Sequence, residues 1–141
     1  MVELGRRFTS FGYHDGPVPV SWSETQIVKD GVLCHIYKFE DDRSRDLALV
    51  RVNAGWKTFR QRVLSGDKTI EGFVEGVGTL TVTNVDGESK TYEFKDGGPA
   101  EEVTVSVGEI MQWSANGETD LIFYKICEPS YEEGRFEDLP D

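Results

Sequence analysis

Short β-rich runs, each closed by a glycine-bearing turn, recur along most of the chain, and their spacing limits the fold more than any other feature. Residues 32–39 form an apolar run between Asp30-Gly31 and the acidic cluster Glu40, Asp41 and Asp42. Similar runs occupy 47–52, 58–64 and 69–75, the third stopped by Ser65-Gly66-Asp67 and the last by Gly76 and Gly78. Residues 79–85 alternate threonine with apolar side chains and end at Asp86-Gly87, a hairpin signal. Residues 90–95 return with Tyr92 and Phe94 on one face. Val103, Val105 and Val107 alternate before Gly108, and 110–113 and 121–127 flank Asn116-Gly117. About nine strands at roughly 8–12-residue spacing are the pattern of a β-sandwich or barrel. No stretch sustains a helical period over three turns, although a short helix within 18–29 stays open. The chain contains no internal repeat.

The 141 residues, 38% of them apolar, suffice for one packed domain. Fifteen basic against 26 acidic residues leave a net charge of −11, which argues against nucleic acid and anionic membrane as partners. No apolar run approaches the roughly 18–20 residues of a transmembrane helix. Residues 1–11 lack the apolar segment of a signal peptide, so a cytoplasmic protein is expected. Cys34 and Cys127 form no CxxC pair; they read as buried free thiols, with a single bridge between them left open. Residues 128–141 carry six acids and one arginine and read as an acidic tail, held by Tyr131 and Phe136.

The middle of the chain resembles the cupin superfamily of small jelly-roll barrels. The resemblance rests on Gly55, on Thr58-Phe59-Arg60-Gln61-Arg62, and on the run from Thr69 through Glu71 to Gly76-Val77-Gly78. Val107-Gly108-Glu109-Ile110 is similar to the start of the second cupin motif, and the run from Leu121 to Pro129 to the closing strand of small cupins. The resemblance covers 47–136 and implies an all-β fold, a cupin-like jelly-roll β-barrel (double-stranded β-helix). Residues 31–127 would form the barrel, and 1–30 an N-terminal arm adding an edge strand or reaching a second subunit. It also implies a metal held by two histidines, a glutamate and a third histidine. Here those positions hold Arg60, Arg62 and Thr69, and the last part of the second motif is missing between Gln112 and Asn116. Arginine stays protonated and is no metal ligand, so no metal and no cofactor is expected.

The candidate ligand-binding residues are Arg60, Arg62, Thr69, Glu71, Trp113 and Tyr124. Arg60 and Arg62 share strand parity, and in the cupin reading their face lines the barrel. Two guanidinium forks there would take a carboxylate, a phosphate or sugar hydroxyls, with Thr69 and Glu71 completing the pocket. The plainer alternative pairs one arginine with Glu71 across neighbouring strands. Trp113 and Tyr124 could stack on a sugar ring, although burial is the ordinary use of a large aromatic. Gln112 is a further hydrogen-bonding candidate. His35 reads as a satisfied core histidine and His14 as part of a solvated turn. No P-loop, dinucleotide fingerprint, HExxH or GxSxG is present.

Three functions stay open. The first is a metal-independent small-molecule binding protein, for a sugar or sugar acid. The second is a sugar isomerase or epimerase, in which Glu71 and Tyr124 would serve as acid and base. The third is an inert structural or interaction domain. A homodimer is expected, because Ile70 and Val74 fall on the outer face of their strand and need cover.

Overall fold

The computed structural model describes residues 4–13, 16–66, 68–98, 101–129 and 134–140. Among them the chain forms twelve strands and no helix. They are β1 (Ser10–Tyr13), β2 (Gly16–Lys29), β3 (Val32–Phe39), β4 (Asp46–Val52), β5 (Arg60–Val63), β6 (Lys68–Glu75), β7 (Val77–Thr83), β8 (Ser89–Lys95), β9 (Glu102–Val105), β10 (Ile110–Ala115), β11 (Leu121–Glu128) and β12 (Phe136–Leu139). One sheet has the order β1-β2-β3-β4-β11-β6-β9 and the other β12-β5-β10-β7-β8, with every pairing antiparallel. From β4 to β12 the chain passes between sheets at nearly every connection, so the sheets face each other as a jelly roll. None of the described residues forms a helix long and apolar enough to cross a membrane.

The stretch left open as a helix, 18–29, is strand β2 instead, paired with β3 from Val20↔Phe39 to Lys29↔Val32. Its β-branched residues and Pro19 favour extended backbone, and no apolar stripe at helical spacing opposes them. The Asp86-Gly87 signal holds: β7 and β8 pair from Val77↔Lys95 to Thr83↔Ser89 around it.

Strand β11 is buried on both faces, and that places it at the centre. Its inward residues Leu121 and Phe123 join Val50, Val52, Trp113 and Phe94 in the barrel core. Its outward residues Tyr124 and Ile126 join Leu47, Leu49 and Ile70 in a second apolar layer. Burying side chains of this size contributes roughly 1.5–3 kcal/mol each. The N-terminal arm covers that layer: Leu4, Phe8 and Phe11 pack on it, and the Tyr37 hydroxyl accepts from Gly5 N at 2.8 Å and donates to Gly5 O at 2.9 Å. Ile70 and Val74 belong to the same layer, so the cover they need comes from this chain's own arm.

Strand β12 extends the second sheet into the acidic C-terminal segment, and Phe136 packs against the barrel core. Tyr131, the other residue expected to hold this segment, lies outside the described residues. The anchor is Arg135, only 3% exposed. Its guanidinium donates to the carbonyl oxygens of Pro129 (2.6 Å), Lys68 (2.7 Å) and Glu128 (2.9 Å). Gly66 makes room for it, since a Cβ there would lie 2.5 Å from Arg135 Cζ. Arg135→Ala is expected to lower stability by about 1–3 kcal/mol in urea melts, because it removes the charged donor that three carbonyls share. Arg135→Lys should recover little of this, because a point charge cannot reproduce the planar fork.

Candidate functional site

Strands β3, β4 and β11 on one side and β5 and β12 on the other enclose a cavity of about 360 Å³. Its walls are largely apolar, with Ile36, Val50, Phe59, Phe123 and Phe136 among them. Lys125 enters it from β11, at the inward position between Phe123 and Cys127. Its side chain is only 12% exposed. The ammonium donates to Gln61 Oε1 at 3.1 Å and sits 4.5 Å from the centre of the Phe136 ring, where the ring's negative face attracts it. Gln61 Nε2 in turn donates to Asp138 Oδ1 at 2.9 Å.

Behind Lys125 lies Glu71, its direct cross-strand neighbour on β6 and fully buried. Glu71 Oε1 accepts from Trp113 Nε1 at 2.9 Å. Glu71 Oε2 is 3.9 Å from Lys125 Nζ, a charge contact too long for a hydrogen bond, and has no hydrogen-bond donor. Burial pushes the Glu71 carboxyl up to about 7, against the opposing pull of Lys125 and the Trp113 hydrogen bond. A polar line thus crosses the barrel from Trp113 on the second sheet, through Glu71 and Lys125 on the first, and back to Gln61 and Asp138 on the second.

The expected site residues divide. Thr69, Glu71 and Trp113 do point into the barrel, but they are 0%, 0% and 1% exposed and lie behind the cavity wall. Trp113 stacks on Phe123 with ring centres 4.5 Å apart, so it is core rather than a stacking platform at the mouth. Arg60 and Arg62 do not line the barrel. Arg62 faces Glu137 across the β5–β12 pair at 3.3 Å, and Arg60 donates to Pro140 O at 3.2 Å, on the outer side of the sheet. Val63, which is 1% exposed, takes the inward parity with Gln61 because the core claims its side chain, and a strand cannot turn neighbouring residues to one face. Tyr124 projects from the opposite face to Glu71; its ring lies over Gly72, where a Cβ would come within 2.0 Å of it, and its hydroxyl donates to Glu102 at 2.5 Å.

Gln112 is spent on the fold, donating to Thr58 O at 2.9 Å. His35 is buried on the side away from the cavity and hydrogen-bonded to Thr25 at 2.9 Å, with its pKa lowered by burial and by Arg51. His14 lies outside the described residues. Cys34 and Cys127 are free thiols in the cavity wall, each pushed up to about 11 by burial. The residue that sequence reasoning passed over is Lys125. Its signal was present: a lone cation at the inward parity of the otherwise apolar strand 121–127.

No family model and no curated protein matches the chain. Solved structures do. The capsular polysaccharide assembling protein CapF of Staphylococcus aureus superposes with a TM-score of 0.66 at 16% identity, over 87% of this chain and 35% of that one. Oxalate decarboxylase OxdC of Bacillus subtilis gives 0.67 at 19% identity, over 80% and 29%. The 7S globulin of Momordica charantia gives 0.63 at 13%, over 82% and 34%. The chain spans about a third of the length of these proteins. Mn(II) centres belong to the oxalate decarboxylase. The interior of this barrel does not fit such an ion. Among the described residues no three His, Cys, Asp or Glu side chains converge, and the two buried carboxylates each face an ammonium, Glu71 that of Lys125 and Asp46 that of Lys38. Strand order, alternation between sheets and these superpositions agree that the chain has the cupin jelly-roll fold.

Proposed function

We propose that this protein is a metal-independent binding barrel for a small organic acid, whose carboxylate is taken by Lys125. The observation that carries the reading is the position of that ammonium. It is the only lysine or arginine lining the described cavity, among largely apolar walls. The two carboxylates of the lining have partners of their own, Asp46 in Lys38 at 2.6 Å and Asp138 in Gln61 at 2.9 Å. A carboxylate entering there meets a charged donor of low exposure, where an ion pair gains more than it would in water. Gln61 adds an amide beside it. The lining suits an acid with a compact apolar body better than a polyhydroxylated sugar. The epimerase reading loses support because Glu71 and Tyr124 project from opposite faces of one sheet.

Calorimetric titration with benzoate, gluconate and glucose tests this. Benzoate is expected to bind most tightly, and Lys125→Met to weaken it by about tenfold or more. The variant Arg60→Ala/Arg62→Ala should bind as the wild type does. Below about pH 7 the Glu71 carboxyl holds its proton. Lys125 then lacks its internal counter-charge, so benzoate should bind more tightly at acid than at alkaline pH. Benzoate affinity unchanged by Lys125→Met, or lost with the two arginines, overturns the proposal; so does a failure of all three compounds to bind.

A further inference from the structure

A second cavity, of about 640 Å³, lies on the other side of the first sheet, between β1 and the outer residues of β6 and β11. Aromatic rings form its walls. Phe11 and Tyr13 lie side by side, their centres 5.4 Å apart and their planes within 20°. Tyr124 stands across both, at 63° to Phe11 and at 78° to Tyr13, with centres 5.1 and 6.0 Å away. The three rings therefore make a near right-angled corner, and Phe8 continues the lining. The corner exists because Gly72 carries no side chain: the Tyr124 ring occupies the space a Cβ would need.

Two carboxylates complete the cavity. Glu102 accepts from the Tyr124 hydroxyl at 2.5 Å and hydrogen-bonds Tyr13 as well, which holds it at the open end of the corner. Glu101 is beside it. No lysine, arginine or histidine is among the described residues lining the cavity. Arg45, whose charge reaches Tyr13, is held by Asp42 at 3.2 Å and Glu128 at 3.6 Å, and lies over the Phe39 ring. Ring faces are negative, and a ring face beside a fixed carboxylate attracts a weakly hydrated cation more than water does. An anion would meet two like charges here, and a neutral ligand would use neither carboxylate.

The geometry points to a second binding site in this protein, in which Phe11, Tyr13 and Tyr124 with Glu102 take the ammonium group of a small organic cation. The site is separate from the acid-binding cavity, because the first sheet stands between them.

Titration calorimetry with choline chloride, against a sodium chloride blank, is the test. Choline is expected to bind, and its uncharged isostere 3,3-dimethylbutan-1-ol to bind about tenfold more weakly or worse. Glu102→Gln should weaken choline binding by a similar factor; Glu102 is exposed, and an unchanged melting curve would show the fold intact. Tyr13→Leu should weaken it too, by removing one wall. Phosphatidylcholine vesicles separate a free ammonium compound from a lipid headgroup, and no co-sedimentation is expected. The proposal is overturned if choline gives no heat, if the isostere binds equally well, if Glu102→Gln changes nothing, or if only the vesicles bind.

Discussion

Lys125→Ala is expected to destabilise the protein by about 3 kcal/mol at alkaline pH, because it leaves a buried carboxylate without its cation. The same variant should lose much less at about pH 5, below the raised Glu71 value. The sign follows from burial. Glu71 moves from 4.5 when unfolded to about 7 in the fold, so the folded protein holds this proton more tightly. The stability it lends is complete below the unfolded value and is lost as pH rises through the folded one, a difference of roughly 3 kcal/mol. Removing Lys125 takes away the largest opposing influence and pushes the carboxyl higher still. Urea melts of wild type and variant at about pH 5 and pH 8 check this. Equal losses at both values would show that Lys125 matters only for packing. Pairing Lys125→Met with Glu71→Gln should recover most of the loss, since no buried charge is then left alone.

Trp113→Ala should be as damaging or more so, at about 3–5 kcal/mol, because it opens a cavity among Phe94, Phe123 and Leu80. Trp113→Phe separates packing from hydrogen bonding. A phenyl ring keeps most of the stacking on Phe123 but removes the single donor to Glu71. The expected loss is about 1–3 kcal/mol, and it should grow with pH because the carboxylate loses its one hydrogen bond. A loss that does not depend on pH would assign Trp113 to packing alone.

The fold was largely legible because two local signals agreed. Alternation at a period of two named the strands, and glycine turns ended them; from 32 to 127 each expected run overlaps a strand. Strands β1, β2 and β12 were harder. Ser10–Tyr13 and Phe136–Leu139 are four residues each, too short to show a period, and each becomes a strand by pairing with a distant or longer one. The interior of β6 was read correctly, with Thr69, Glu71 and Phe73 on one side and Ile70 and Val74 on the other. The interior of β5 was not. Arg60 and Arg62 share a face as expected, but the face that turns inward is the other one, with Gln61 and Val63, and in four residues parity alone groups side chains without saying which group is inside.

What the sequence by itself determined is therefore the set of strands, the turns between them and which residues travel together on a face. These follow from backbone geometry and the two-residue repeat, which act over a few residues. Only the tertiary structure decided which faces look inward, because that depends on what each sheet packs against. It turned Val63 and Gln61 into the barrel and the arginines out. It set Lys125 of one strand against Glu71 of its neighbour, with Trp113 reaching across from the other sheet. That grouping joins residues up to 54 positions apart, from Glu71 to Lys125, and the energy of a buried charge depends on the groups that surround it rather than on its neighbours along the chain.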